Sequence, residues 1–325
     1  MGENENLTVK SLEKCIQELI KENYIKEGWL DDLTDEIIND AIVNCINNCT
    51  SPTDDTIMEK LKAIFRAFSL FPISETKVLI IGQDPYPDND EYRILRYGKR
   101  AHGLAFSFLN SKKDENKPEP AADSLINIFK AIDKYKNTNK ISDIYTWNTN
   151  LEHWAKKNKV LLLNTALTHV NKKSIKHHIE IWEDFILKIM NKLLKRKNNK
   201  LTIFLWGAPA QKTFLKCLNK YNDLNFVSDN IKEKIDNEKY IKNGEFIVDK
   251  SFKVICIENA IKIFDDSNNK EEILVFMTNH PSRLSENSKG MFVKYSQNHF
   301  KACDEFLLKE NKNKYIWKDF PENNI

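Results

Sequence analysis

Four short apolar runs, each ending in a polar or glycine-containing tail, constrain this chain more than any other feature. They are VLIIGQDP from Val78, VLLLNT from Val160, LTIFLWG from Leu201 and ILVFMTNHP from Ile273. A run with no polar face suits a strand covered on both sides, which is the environment of a parallel sheet. Helical spacing separates the runs, since SLINIFKAI and IWEDFILKIMNKLL repeat apolar residues three and four apart. Strand and helix in alternation predict an α/β fold: three layers, α/β/α, around a central, mainly four-stranded parallel sheet. No solenoid-length repeat competes with that reading.

The chain reads differently before the first strand. LEKCIQELI and MEKLKAIFRAF have helical spacing, so residues 1–57 are expected to form an N-terminal helical extension to a main domain over 58–325. Two stretches of that domain read as insertions, a charged one near 88–100 and a long one over 218–270. The second exceeds an ordinary connection. Its FKVICIENAIKIF segment suggests order, with hairpin, helix and partial mobility all left open.

Composition excludes more than it selects. Lys+Arg 50 against Asp+Glu 47 gives a net charge of only +3, so a polyanion would have to be gripped by local charge and not by a global field. The apolar runs fall far short of the roughly 20 residues that span a bilayer, and MGENENLTVK lacks a signal-peptide core. The chain is therefore expected to be soluble and intracellular, with no membrane partner. Its six cysteines are scattered, as reduced thiols are. Cys45 and Cys49 sit one helical turn apart, but no second pair has zinc-like spacing, so no metal is expected.

In an open parallel sheet, ligands bind beyond the carboxyl ends of the strands. Three of the four runs end there in groups capable of chemistry: Gln83 with Asp84, Asn164, and His280. A carboxylate, an amide that both donates and accepts, and an imidazole suit hydrolysis of a polar heterocycle or sugar derivative. Phe106 in HGLAFSF offers a flat apolar face, and Tyr86 stands two residues past Asp84. Singly, each has a plain structural reading: Asp84 and His280 as loop residues before proline, Asn164 as a strand cap, Phe106 as core.

Together the blocks GQDPYP at Gly82, HGLAFSF at His102, LLLNTALT at Leu161, FLWGAPAQK at Phe204 and HPSRLS at His280 resemble, in order, the five signature blocks of family 1 uracil-DNA glycosylases. The likeness runs from about residue 60 to 320. It implies base excision in DNA repair, with uracil-containing DNA, single- or double-stranded, as substrate and with no cofactor. Asp84 and His280 match the family's catalytic pair, the first offsetting positive charge on the sugar and directing water, the second donating to the uracilate oxygen. Gln83, Tyr86, Phe106 and Asn164 match its uracil pocket: a base contact, a block to thymine's methyl, a stacking face, and the amide that reads the uracil edge. Leu284 matches the wedge that fills the space left by the flipped base, while Ser124, Ser282, Arg283 and Ser285 fall at DNA-contacting positions.

Four departures bear on rate and grip. Pro87 replaces the histidine that usually ends GQDPYH, although poxvirus relatives also carry DPYP. Arg283 replaces a proline, Ala208 replaces a serine, and the loop before SLINIF keeps Ser124 but adds the acidic Asp123. The resemblance implies a monomer, in the nucleus or a host compartment. Two other functions are open: a DNA-binding scaffold or processivity subunit whose protein partner docks on 218–270, and a glycosylase of altered specificity. Retention of Tyr86, Asn164 and Phe106 argues against the last.

Overall fold

Each apolar run forms a strand in the computed structural model: β1 (Val78–Gly82), β2 (Val160–Asn164), β3 (Leu201–Trp206) and β7 (Lys270–Thr278). Every residue of β1, β2 and β3 is buried, which is the physical reason these segments have no polar face. The structure describes residues 6–31, 33–49, 56–86, 101–107, 123–136, 148–169, 175–196, 200–221, 244–247, 252–257, 260–265, 270–282, 292–307 and 317. The 88–100 stretch lies outside them.

Among the described residues seven strands form the sheet, in the order β2-β1-β3-β7-β6-β5-β4. β1 with β3, and β3 with β7, pair in parallel, Ile80 opposite Phe204 and Phe204 opposite Phe276. The remaining three strands, β4 (Gly244–Ile247), β5 (Phe252–Ile257) and β6 (Ala260–Asp265), come from the 218–270 stretch and run antiparallel beyond β7. FKVICIENAIKIF is thus a pair of strands with two residues between them, a short-connection antiparallel pairing. The parallel core is four-stranded, as expected, and the antiparallel strands extend it.

By the density of their internal packing the residues fall into two units. The first comprises Met1–Thr76, Gly82–Lys113 and Asn150–Leu193; the second comprises Lys77–Ile81, Asp114–Thr149 and Leu194–Ile325. The first holds helices α1 (Val9–Lys21), α2 (Thr34–Ile37), α3 (Asp40–Asn48), α4 (Ile57–Ile64), α6 (Glu152–Asn158) and most of α7 (Ile175–Leu194). Thr56 and Glu59 form a reciprocal capping box at the start of α4, each satisfying a backbone donor that the helix leaves open. The helical spacing expected through Phe68 breaks earlier: α4 stops at Ile64 and a 3₁₀ turn follows at Arg66–Phe68. That turn directs Phe65 and Phe68 against Phe185, and Trp29 against Phe68 and Phe71. These rings are buried, and Trp29 Nε1 donates to Phe71 O at 2.7 Å, so the apolar cluster contains a satisfied polar group.

The second unit holds α5 (Asp123–Lys136), α8 (Ala208–Tyr221) and α9 (Phe292–Leu307) with β1, β3 and β7. α8 packs on β3, while α9 packs on β7, β3 and α5. Phe204 is the centre of the aromatic core here, meeting Trp206, Phe276, Phe300 and Trp317. No helix among the described residues is long and apolar enough to cross a membrane.

Candidate active site

The first unit carries five of the expected residues at the carboxyl ends of β1 and β2 and in the HGLAFSF loop. Gly82 closes β1 against Asn164: a Cβ at position 82 would collide with Asn164 Oδ1 and lie 2.8 Å from Ala105 Cβ. Glycine is required because the amide comes so near the backbone. Immediately after it, Gln83 O accepts from Thr165 Oγ1 at 2.7 Å and from Ala166 N at 3.0 Å, and Thr165 N donates to Gly82 O at 3.0 Å. Three hydrogen bonds therefore tie the loop bearing Gln83 and Asp84 to the one following Asn164, which is 7% exposed.

Phe106 adopts φ of 62°, a left-handed conformation that a bulky residue holds only where its surroundings over-determine it, at a cost on the order of 1–3 kcal/mol. Those surroundings are visible. Tyr86 Oη donates to Phe106 O at 3.2 Å, and Ala105 N donates to Leu162 O at 3.1 Å. Ser107 follows, its Oγ 2.7 Å from His102 Nε2 and accepting from Leu151 N at 2.8 Å. Burial pushes the His102 pKa down to about 4, and the nearby Arg66 cation acts the same way. Tyr86 and Phe106, widely separated in the signature blocks, are thus joined directly.

Asp84 has a polar partner that sequence reasoning did not single out: His169 Nδ1 lies 3.1 Å from Asp84 Oδ2, both side chains 15% exposed. Since a carboxylate accepts and cannot donate, the imidazole N–H donates.

The second unit positions His280. β7 ends at Thr278, whose O accepts from Gly207 N at 2.9 Å and from Gln211 Nε2 at 3.1 Å. Gly207 has φ of +89°, and a Cβ there would stand 2.9 Å from His280 Cβ. Both the backbone angle and the space require glycine. His280 Nδ1 accepts from Ser282 N at 3.0 Å, which leaves the proton of the neutral ring on Nε2. Burial pushes the His280 pKa down, so the ring is favoured as a neutral Nε2–H donor. Asn127 of α5, 7% exposed, donates to Pro281 O at 2.8 Å and fixes the same turn. Ser124 lies one helical turn before Asn127, on the same side of α5.

Two of the departures now have local descriptions. Asp123 is exposed in the first turn of α5, where a negative side chain opposes the positive end of the helix dipole. Ala208 is the exposed first residue of α8. Pro87, Arg283, Leu284 and Ser285 lie outside the described residues. Asn127, Gln211 and His169 were missed because each acts through a partner 154, 67 or 85 positions away, a pairing that no local periodicity announces.

Residues 68–308, well over half of the chain, match the model of a family described as "Uracil DNA glycosylase superfamily". A protein of Saccharomyces cerevisiae named uracil-DNA glycosylase is 32% identical over 196 residues, 58% of this chain and 48% of that one, so the chain spans about half that relative's length. One of the same name from Lachnoclostridium phytofermentans is 33% identical over 193 residues, 58% of this chain and 74% of that one. Among solved structures, mimivirus uracil-DNA glycosylase superposes with a TM-score of 0.53 at 18% identity, covering 96% of this chain and 90% of that one. That likeness concerns the fold.

Proposed function

The chain belongs to the uracil-DNA glycosylase superfamily, and we propose that it flips uracil out of DNA and hydrolyses the N-glycosidic bond, leaving an abasic site for base excision repair. The observation that carries this reading is the hydrogen-bonded loop cluster in which Asp84, Tyr86, strained Phe106 and the end of β2 at Asn164 are tied together. One carboxylate, one amide and one forced aromatic face suit a flat polar base attached to a sugar.

Cleavage breaks the bond between sugar C1′ and uracil N1, and the electron pair leaves with the base. The sugar passes through an oxocarbenium-like state while uracil becomes an anion. Asp84 offsets the sugar's positive charge and takes a proton from the water whose oxygen bonds to C1′. His280 donates its Nε2–H to the uracilate oxygen, a role suited to a ring whose Nδ1 is already occupied by Ser282 N–H. Asn164 accepts from the uracil ring N–H and donates to a carbonyl, a pattern that cytosine reverses. Phe106 stacks on the base, Tyr86 excludes the thymine methyl, and Gln83 contacts the base. Ser124, Ser282, Arg283 and Ser285 contact phosphates, and Leu284 enters the vacated space in the duplex.

The catalytic segment is 58–325, with 1–57 a helical extension. The enzyme acts as a monomer in the compartment holding its DNA, the nucleus in a eukaryotic cell, and the three antiparallel strands of 218–270 are the docking place for a protein partner. A uracil-containing single-stranded oligonucleotide, incubated without added metal and then heated in alkali, tests the activity. Strand breaks at uracil are expected for the unaltered protein, about 1,000-fold fewer for Asp84→Asn, and none at thymine. No breaks with the unaltered protein would refute the enzyme reading.

A further inference from the structure

Asp84 and His169 form a pair whose second member is built in from behind. His169 follows Thr168, whose Oγ1 accepts from Trp182 Nε1 at 2.8 Å and lies 3.3 Å from His178 Nδ1. Trp182 and His178 are both buried in α7. His178 also faces Cys45 Sγ of α3 at 3.8 Å, and its ring stacks on that of His169, centroids 6.4 Å apart and planes at 16°. A buried helix face thus sets the position of residue 168 and the plane of the ring at 169. Fixing that plane fixes the direction of the Nδ1–H bond, which points at Asp84 Oδ2.

A carboxylate on a loop can rotate about its side-chain bonds. One that acts on water at a sugar carbon must present a particular oxygen, and misplacement by about 1 Å costs on the order of 100-fold in rate. Among the described residues, His169 is the side chain hydrogen-bonded to Asp84. We propose that His169 is a positioning residue for the glycosidic cleavage: its Nδ1–H holds Asp84 Oδ2 and leaves Oδ1 to face water and sugar. The inference rests on the reading of Asp84 as the carboxylate of that reaction. His169 touches no substrate in this scheme, and no proton passes through it. Its contribution is made before the reaction begins, as geometry.

Single-turnover cleavage of the uracil oligonucleotide by four variants tests it. His169→Phe keeps a ring to stack on His178 but removes the donor; it is expected to lower the cleavage rate about 10- to 100-fold, with DNA affinity and melting temperature close to those of the unaltered protein. His169→Asn places an amide N–H near the position of Nδ1 and is expected to return to within about 5-fold of the starting rate. In the Asp84→Asn background, adding His169→Phe should change nothing further, because the effect runs through Asp84. An unaltered rate for His169→Phe, no recovery by His169→Asn, or full additivity in the double variant would each overturn the proposal. If Asp84→Asn itself cleaves normally, the underlying assignment of Asp84 fails instead, and the proposal falls with it.

Discussion

The candidate residues of the two units are held in place by different means. In the first unit, side-chain bonds from Tyr86 Oη to Phe106 O, Thr165 Oγ1 to Gln83 O and His169 to Asp84 add to main-chain bonds from Thr165 N, Ala166 N and Ala105 N. Around His280 in the second unit, the ring accepts from Ser282 N two residues away, Gly207 N donates to Thr278 O, and a Cβ at 207 would crowd the His280 side chain. Asn127 and Gln211 contribute side-chain donors there. In the first unit, Asp84 and the Phe106 carbonyl can each lose a partner through one side-chain substitution, whereas the donor to His280 Nδ1 in the second unit is a backbone N–H that no side-chain substitution removes.

Acid is expected to act on both. Each unit buries a neutral histidine: His102 in the first, with its pKa lowered to about 4, and His299 in the second, stacked on Phe276 and lowered to about 3. In the unfolded chain both would titrate near the ordinary value of about 6.5. A depressed folded pKa means the unfolded state binds more protons below that value, so stability is whole above about pH 6.5 and falls as pH drops toward the folded values. At pH 5 the two together should cost on the order of 4 kcal/mol of unfolding free energy. Denaturant titration at pH 7 and pH 5 measures it. His299→Phe should remove about half of that slope. If it leaves the slope unchanged, the burial ascribed to the second unit's histidine is wrong.

Gly82→Ala carries the next largest effect. The added methyl meets Asn164 Oδ1 and Ala105 Cβ, and overpacking of this kind costs about 1–3 kcal/mol. With the amide displaced, single-turnover cleavage of uracil should fall about 100-fold, and free uracil should inhibit less strongly. Gly207→Ala is the matching test in the second unit. Its methyl presses on Cβ and Cδ2 of the His280 side chain, and the residue must also hold φ of +89°. About a 10-fold loss of rate is expected there, with uracil inhibition weakened less than by Gly82→Ala, because His280 gives the base one hydrogen bond and Asn164 two. Equal effects on uracil inhibition from both substitutions would show that the two glycines do not differ in this way.

The parallel core was legible because continuous apolar runs have one physical use in a chain of this kind, and the candidate residues at the strand ends were legible because they directly follow those runs. Asp84, Asn164 and His280 all sit within three residues of a strand end. What was not legible depended on tertiary placement. Nothing local distinguishes His169 or Asn127 from other polar residues in their segments, and the demand for glycine at 82 arises only because Asn164 lies against it. FKVICIENAIKIF was recognised as ordered with hairpin and helix both left open, since FKVICI and AIKIF are too short for periodicity to choose between helix and sheet, and β4 at Gly244–Ile247 was not singled out. The break at Ile64 in the first unit was hidden for the opposite reason: helical spacing continued past the point where the backbone tightened into a 3₁₀ turn.

Tyr86→Phe should have the smallest effect and the most informative one. It deletes a single hydroxyl, the donor to Phe106 O at 3.2 Å, and keeps the ring. A hydrogen bond of this length between neutral groups contributes about 0.5–1.5 kcal/mol, so uracil cleavage should slow by no more than about 10-fold as Phe106 relaxes from its positive φ. Refusal of thymine should persist, because exclusion of the methyl belongs to the ring and not to the hydroxyl. Tyr86→Ala removes both and should admit thymine. Oligonucleotides bearing uracil or thymine, cleaved side by side by the two variants, separate the functions. If Tyr86→Phe also cut at thymine, the hydrogen bond to Phe106 would be setting the ring's position, and selectivity would rest on that bond. If neither variant cut at thymine, Tyr86 would not be the residue that guards the pocket.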